Sequence, residues 1–308
     1  MSAGELSLEA VTKTYKKGAA AANQAINLTF RPGELIALIG HNGAGKTTLL
    51  NQVIGTTKPS SGDIRYGEVS LVASPDLARR IASMMPQMHA PLTGVTPLQA
   101  IMSIGRLRGL RGVDARHEAR NLIDQLDIAQ WQNTGGEKLS GGLRRLTSYA
   151  MAVIAPPPVL LIDEPTNDVD PMRRQLIWQH LRRVADVGHI VIVVTHNLLE
   201  VQRTADRYVL LQNGRVLIDS TPGQLFQQAQ TTTLTVSIRP GIELTTTPSA
   251  TRIQSVDQSG QLQLDLEPPH ILEAVAWVLE RVNAGEVDNY TLAPASLESL
   301  YERITDDC

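Results

Sequence analysis

Gly40-His41-Asn42-Gly43-Ala44-Gly45-Lys46-Thr47-Thr48 is the stretch that decides how the rest of the chain is read. It fits the phosphate-loop pattern G-x-x-x-x-G-K-[ST]. Leu35, Ile36, Ala37, Leu38 and Ile39 come just before it and read as a buried parallel strand. Thr48, Leu49, Leu50 and Val53 follow as the start of a helix. Strand, glycine loop and helix in that order are the context in which such a pattern holds phosphate. Glycines let the backbone turn its N–H groups toward phosphate oxygens, and the helix N-terminus adds a positive partial charge. Lys46 is placed to reach the β/γ-phosphates of a nucleotide, and the Thr47 hydroxyl to ligate Mg²⁺.

Composition narrows the class. A chain of 308 residues that is 42% hydrophobic can bury one large core, or one large and one small. A net charge of −3 gives no reason to expect nucleic acid as a partner. The single cysteine, Cys308, leaves no disulfide framework and fits a reducing compartment. Met1 to Glu5 have neither the basic nor the apolar region of a signal peptide. No apolar run reaches the ~18 residues that span a bilayer. The longest candidate, Ala150 to Ile162, is broken by Pro156, Pro157 and Pro158. If the protein works at a membrane, another chain has to supply the spanning part.

Working outward, Leu6, Leu8 and Ala10 alternate with polar residues, as do Ile26, Leu28 and Phe30, and both read as half-buried strands. Short strand-like pieces follow around Ile64 and Val69. From Leu98 to about Ile128 the period turns helical, with Ile101, Ile104 and Leu107 on one face and Leu122, Ile123 and Leu126 on another. Glycines 105, 109 and 112 separate the helices, and the region from about 90 to 150 reads as a helical insertion. A helix carrying Leu143, Leu146, Ala150 and Val153 returns the chain to the core, and its Arg144 and Arg145 read as solvated. Tyr208–Leu211 and Val216–Ile218 flank Asn213-Gly214, a hairpin signal. Near Thr231 the composition shifts. Strands around Leu234 and Leu264, an amphipathic helix with Ile271, Leu272, Val275, Leu279 and Val282, and a last helix with Leu297, Leu300 and Ile304 suggest a small α+β domain. The expected division is therefore 1–228 and 229–308.

A second chemical element is the apolar strand Val159 to Ile162 running into Asp163-Glu164. A strand that delivers an acid to the sheet edge near a phosphate loop can hold Mg²⁺ through Asp163, a Walker B arrangement. Glu164 then stands where a water is activated. Leu139-Ser140-Gly141-Gly142 opens a helix, and a serine with two glycines at a helix N-terminus makes a second anion site.

Over about residues 6 to 225 the chain resembles the ATP-binding cassette (ABC) ATPases, with the family's markers in the family's order. Tyr15 matches the adenine-stacking aromatic residue and Gly40 to Thr48 the phosphate loop. Gln87 matches the glutamine that senses Mg²⁺ and couples to the membrane partner. Ser140, Gly141 and Gly142 lie in the signature motif, Asp163 and Glu164 in Walker B. Asp170 matches the dimer-contact aspartate and His196 the switch histidine at the γ-phosphate. His41 stands where the family commonly has proline, Leu143 where the signature is often followed by glutamine, and Asn167-Asp168-Val169 where smaller residues are usual.

The resemblance implies an α/β P-loop NTPase core with an antiparallel β subdomain and a helical subdomain. It implies ATP and Mg²⁺ as ligands and a homodimer in the ATP-bound state, packed head to tail so that each signature turn, a second γ-phosphate site for which one chain has no use, closes on the other copy's phosphate loop. With one cassette and no membrane span, it implies separate integral membrane permease subunits, hence a cytoplasmic chain peripheral on the inner face of the cell membrane. The tail is similar to the C-terminal domain of drug- and antibiotic-exporter ATPases through the run Leu292 to Leu300, which points to export. The alternatives are a soluble cassette ATPase of translation, repair or assembly, or a P-loop kinase or GTPase. The first usually carries two cassettes or a long coiled coil, and the last two have no use for the signature.

Overall fold

The computed structural model describes residues 4–294 apart from 17, 19, 89, 230, 231, 243, 245, 251 and 255–259. Its contacts divide the chain into two units, Met1–Ser220 and Thr221–Cys308. The first begins with β1 (Leu6–Lys13), β2 (Asn23–Phe30), β3 (Leu35–Ile39), α1 (Lys46–Val53), β4 (Ser61–Tyr66), β5 (Val69–Ser70), α2 (Pro75–Ile81) and β6 (Ala82–Met85). It continues through α3 (Pro97–Leu107), α4 (Gly112–Gln125), α5 (Gly141–Val153), β7 (Val159–Asp163), α6 (Pro171–Asp186), β8 (Ile190–Val194), α7 (Leu198–Gln202), β9 (Arg207–Gln212) and β10 (Arg215–Ser220).

β3, β7 and β8 are buried at every position. Parallel strands covered on both faces have to be apolar throughout, which is why their sequences do not alternate. They form the centre of a six-stranded sheet ordered β10-β9-β3-β8-β7-β6, parallel except for the β9–β10 hairpin. That hairpin turns on Asn213 and Gly214, both at positive φ (49° and 75°), as a tight two-residue turn between twisted strands requires. One face of the sheet packs with α1 and a second, antiparallel sheet, ordered β2-β1-β4-β5, around Leu8, Ile26, Leu38, Leu49 and Ile192. α5 lies on β6 and β7, and α6 on β8 and β3. Because β3, β8 and β7 are neighbours, the loops at their carboxyl ends meet at one sheet edge, where parallel α/β sheets bind ligands.

Several local expectations change. Ala10 does not continue the inward alternation: it is exposed at φ 48°, and the register with β2 jumps between Leu8 and Val11. The bulge inserts one residue, so Val11 is the next side chain to reach the core. Gly105 lies inside α3, where a Cβ would stand 2.8 Å from Ile154 Cδ1, so it permits close packing and separates nothing. Leu107, at the C-terminal end of α3, faces solvent rather than the Ile101 face, because six residues at 3.6 per turn carry it about 120° round the helix.

The second unit starts at Thr221. There the chain leaves β10, and Gln224 N–H donates to the Thr221 hydroxyl at 3.4 Å while Gln224 Oε1 accepts from Thr221 N–H at 3.2 Å. That reciprocal pair opens α8 (Pro222–Ala229), so the break falls ahead of this helix rather than at 228. β11 (Thr232–Ile238), β12 (Arg252–Gln254), β13 (Gln261–Leu266), α9 (Ile271–Asn283) and β14 (Val287–Pro294) follow. The four strands make an antiparallel sheet ordered β12-β13-β11-β14. Leu234, Val236, Leu264, Trp277 and Val278 share its core. α9 therefore buries Ala274, Trp277 and Val278, while Leu272 and Leu279, expected on the buried face, are exposed. A helix apolar on two sides offers its period no way to choose between them. Leu292 to Pro294 end β14; the rest of the run to Leu300, and the expected helix with Leu297, Leu300 and Ile304, lie outside the described residues.

Candidate nucleotide site

The phosphate loop leaves β3 and ends at Gly45, the residue before α1, which sits at φ 101° with no side-chain cap on the helix. A Cβ on Gly45 would lie 2.1 Å from the Ala22 carbonyl oxygen, so both its conformation and its space exclude a side chain. Behind it, the fully buried Asn23 donates to the Gly45 carbonyl (3.1 Å) and accepts from Gln52 Nε2 (2.7 Å). The Lys46 amine donates to the carbonyls of Gly40 (2.6 Å) and His41 (3.0 Å). Burial lowers its pKa, opposed by the charges of Glu164 and Asp163.

Asp163 and Glu164 arrive from β7, both buried. Thr47 Oγ1 donates to Asp163 Oδ2 at 3.2 Å. Burial raises the Asp163 pKa, and the Thr47 hydrogen bond works against it. Glu164 has φ 51°, a region that non-glycine residues occupy only when the surroundings hold them there. Its N–H donates to the Val194 carbonyl (2.8 Å). Glu164 Oε1 pairs with His196 Nδ1 at 2.9 Å, while Oε2 is buried with no hydrogen-bond partner among the described residues.

These groups surround a cleft of about 390 Å³ whose walls include Gly43, Gly45, Lys46, Thr47, Thr48, Gln87, Asp163 and Glu164. Asn42 also lines it, whereas Gly40, His41 and Ala44 do not. His41 is exposed with its Nδ1 against the Asn42 carbonyl (2.7 Å), and Ala44 turns into the core. Tyr15 stands beside the cleft: its hydroxyl is 3.3 Å from Thr48 Oγ1, and the Lys13 ammonium lies over its ring at 5.2 Å. The donor set fits a magnesium nucleotide. An uncapped helix end and a lysine face one hydroxyl, one buried carboxylate and an orphaned carboxylate oxygen.

Ser140, Gly141, Gly142 and Asp170 are not among the cleft's lining residues. Ser140 caps α5, its Oγ accepting from Leu143 N–H at 3.3 Å. Asp170 caps α6, accepting from Arg173 N–H (3.1 Å) and Arg173 Nη1 (2.9 Å). A Cβ on Gly142 would lie 2.4 Å from the Asp168 carbonyl oxygen, so the loop after Glu164 rests directly on the signature turn. Arg145, expected in solvent, is 5% exposed. It donates to the Pro86 carbonyl (3.1 Å). Burial lowers its pKa, against the charges of Asp163, Asp168 and Glu164. Arg144 bonds the carbonyls of Gly136 (3.1 Å) and Glu137 (3.0 Å). Asn23, Arg145 and Asp168 belong to the site's surroundings but escape sequence reasoning. Only Asn23, a polar residue entering an inward-alternating strand, leaves any local signal.

Fold and site together define a P-loop nucleotide-binding protein. Known proteins of similar sequence and fold narrow this. The family model for ABC transporters matches residues 23–167. The Nod factor export ATP-binding protein I of Rhizobium etli is 32% identical over 218 residues, covering 71% of this chain and 68% of that protein. The daunorubicin/doxorubicin resistance ATP-binding protein DrrA of Streptomyces peucetius is 27% identical over 290 residues, covering 91% and 86%. Among solved structures, the ATP-binding cassette MJ0796, dimeric in a post-hydrolysis state bound to ADP and Pi, superposes with a TM-score of 0.64 at 26% identity, covering 70% of this chain and 98% of that one. The chain belongs to the ABC transporter family of ATP-binding proteins.

Proposed function

We propose that this chain is the ATP-hydrolysing subunit of an exporter, working as a head-to-tail homodimer with two Mg-ATP at the interface and driving separate permease chains. The observation that carries the reading is Glu164: buried, pinned through Oε1 by His196, and holding Oε2 unpartnered in a residue that walls the cleft. Such an oxygen can take the proton of an attacking water as the water's oxygen bonds to the γ-phosphorus and the bond to ADP breaks. Lys46 and the loop N–H groups neutralise phosphate charge. Thr47 and Asp163 would hold Mg²⁺ with Gln87 beside them; when bound, the ion offsets the charge on the β- and γ-oxygens. Tyr15 offers its ring to adenine, and Asp170 is assigned to the contact between copies.

The signature turn supplies the reason for two copies, since Ser140 to Gly142 lie off their own chain's cleft. Three bulky apolar residues support a permease contact. Met88 next to Gln87, and Leu107 and Val113 flanking the α3–α4 connection, are each 82% exposed. No described helix is long and apolar enough to cross a membrane. With permease chains as its partners, the reading puts the chain on the cytoplasmic side, peripheral to the membrane, with the second unit as an accessory domain. Export follows the relatives that act in drug resistance and Nod factor export.

One purification tests this. Tagged Glu164→Gln protein is extracted from native membranes in detergent with ATP present. The expected complex holds two copies of the tagged chain and a multi-span membrane protein. A lone chain with no membrane partner would overturn the proposal.

A further inference from the structure

Four residues beyond His196, the carboxylate of Glu200 collects three donors from outside its own helix. Thr166 Oγ1 (2.9 Å) and Trp178 Nε1 (2.8 Å) donate to Oε2, and Arg174 Nη1 (3.4 Å) reaches Oε1. Thr166 is buried two residues after Glu164, while Trp178 and Arg174 stand on α6. Arg174 Nε also donates to the Val169 carbonyl at 2.6 Å, so the same group steadies the loop that rests on Gly142.

The segments 163–166 and 194–200 are thereby joined at three points. The Glu164 N–H bonds the Val194 carbonyl, Glu164 Oε1 pairs with His196, and Thr166 bonds Glu200. The first two lie at the strand end. The third lies within α7, which has five residues and cannot hold its own place by helix formation. Its cap is local: Asn197 Oδ1 accepts from Glu200 N–H at 3.4 Å. The His196 side chain is itself largely solvent-exposed, so little packing around the ring fixes its direction. What anchors α7 anchors the histidine: Leu198 and Val201 bury its apolar side, and the Glu200 carboxylate ties its polar side to Thr166 and α6.

We propose that Glu200 is a positioning residue for ATP hydrolysis: by tying α7 to Thr166 and α6 it holds His196 against Glu164. This rests on the reading of the cleft as a hydrolytic site. A carboxylate suits the place because three donors, one of them cationic, converge on it, and an ionised acid brings only acceptors.

The test is a cycle of four full-length proteins: wild type, Glu200→Ala, His196→Ala and the double variant. Single-turnover release of labelled phosphate keeps slow variants measurable, and rates are normalised to folded protein. Glu200→Ala is expected to lower the rate of hydrolysis about tenfold with the KM for ATP changed less than about twofold, because the phosphate loop is untouched. In the His196→Ala background the same substitution is expected to cost less than about twofold. A role in stability alone would leave the folded enzyme's rate unchanged, and a rate within about twofold of wild type overturns the proposal. So does a tenfold loss that persists without His196. If Glu200→Ala does not fold, Thr166→Val removes the hydroxyl donor at little change in shape. It is expected to slow hydrolysis about fivefold, with the effect again vanishing without His196. A wild-type chain that hydrolyses nothing would instead remove the hydrolytic reading and this inference with it, whereas a His196→Ala variant as fast as wild type would leave hydrolysis standing and overturn this inference alone.

Discussion

Two helix N-termini in this chain are built from the same residue types, glycines beside a hydroxyl, and use them in opposite ways. At α1, Gly45 is left-handed and the helix end is uncapped, so its N–H groups stay free for an anion in the chain's own cleft. At α5, Ser140 caps the helix, and Gly141 and Gly142 are its opening residues at ordinary negative φ. The glycine before α1 is needed for a backbone conformation and for space. The glycine inside α5 is needed for space alone, because the Asp168 carbonyl presses on it. One end makes a cradle. The other makes a flush surface, which fits a turn that has to meet something outside its own chain.

Alanine at each glycine can break that distinction. Gly45→Ala has the larger expected effect. It forces a Cβ into the left-handed region and into the Ala22 carbonyl, and the strain of such a residue alone is worth ~1–3 kcal/mol. ATP affinity, read by titration with a fluorescent analogue, is expected to fall at least about a hundredfold. A dissociation constant near that of wild type would mean that the cradle does not depend on this conformation. Gly142→Ala keeps a helical backbone and collides only with the Asp168 carbonyl. The isolated chain is expected to bind ATP within about twofold of wild type while steady-state hydrolysis falls about tenfold. If binding and hydrolysis fell together, the two turns would be one site, and the comparison would collapse.

The same contrast marks what was readable in advance. β3, β7 and β8 were legible because strands covered on both faces are apolar at every position. The phosphate loop and the Asp163-Glu164 pair were legible because their chemistry is contiguous in sequence. What stayed hidden depends on partners far along the chain. Arg145 looks like any arginine on a helix until β6 delivers the Pro86 carbonyl to it across 59 residues. Glu200 carries no local signal, since Thr166, its hydrogen-bond donor, lies 34 residues earlier. Ala10 looked like an inward residue because a bulge leaves no trace in the pattern it interrupts.

Ser140 separates the two turns further, with the smallest expected effect on stability. Its Oγ accepts from Leu143 N–H, yet the hydroxyl proton remains available to donate, so the cap and a phosphate contact can coexist on one side chain. Ser140→Ala removes both. It is expected to cost about 1 kcal/mol of stability in a urea titration, the usual worth of an N-cap. Ser140→Asp keeps an equally good cap while placing a negative charge on the flush surface. Its stability is expected to stay within about 0.5 kcal/mol of wild type, and its hydrolysis to fall at least as far as that of Gly142→Ala. A residue that served only the helix would respond the other way round, with aspartate restoring everything that alanine loses. If Ser140→Asp hydrolyses ATP as fast as wild type, α5 ends in an ordinary cap and no triphosphate from a second copy meets it.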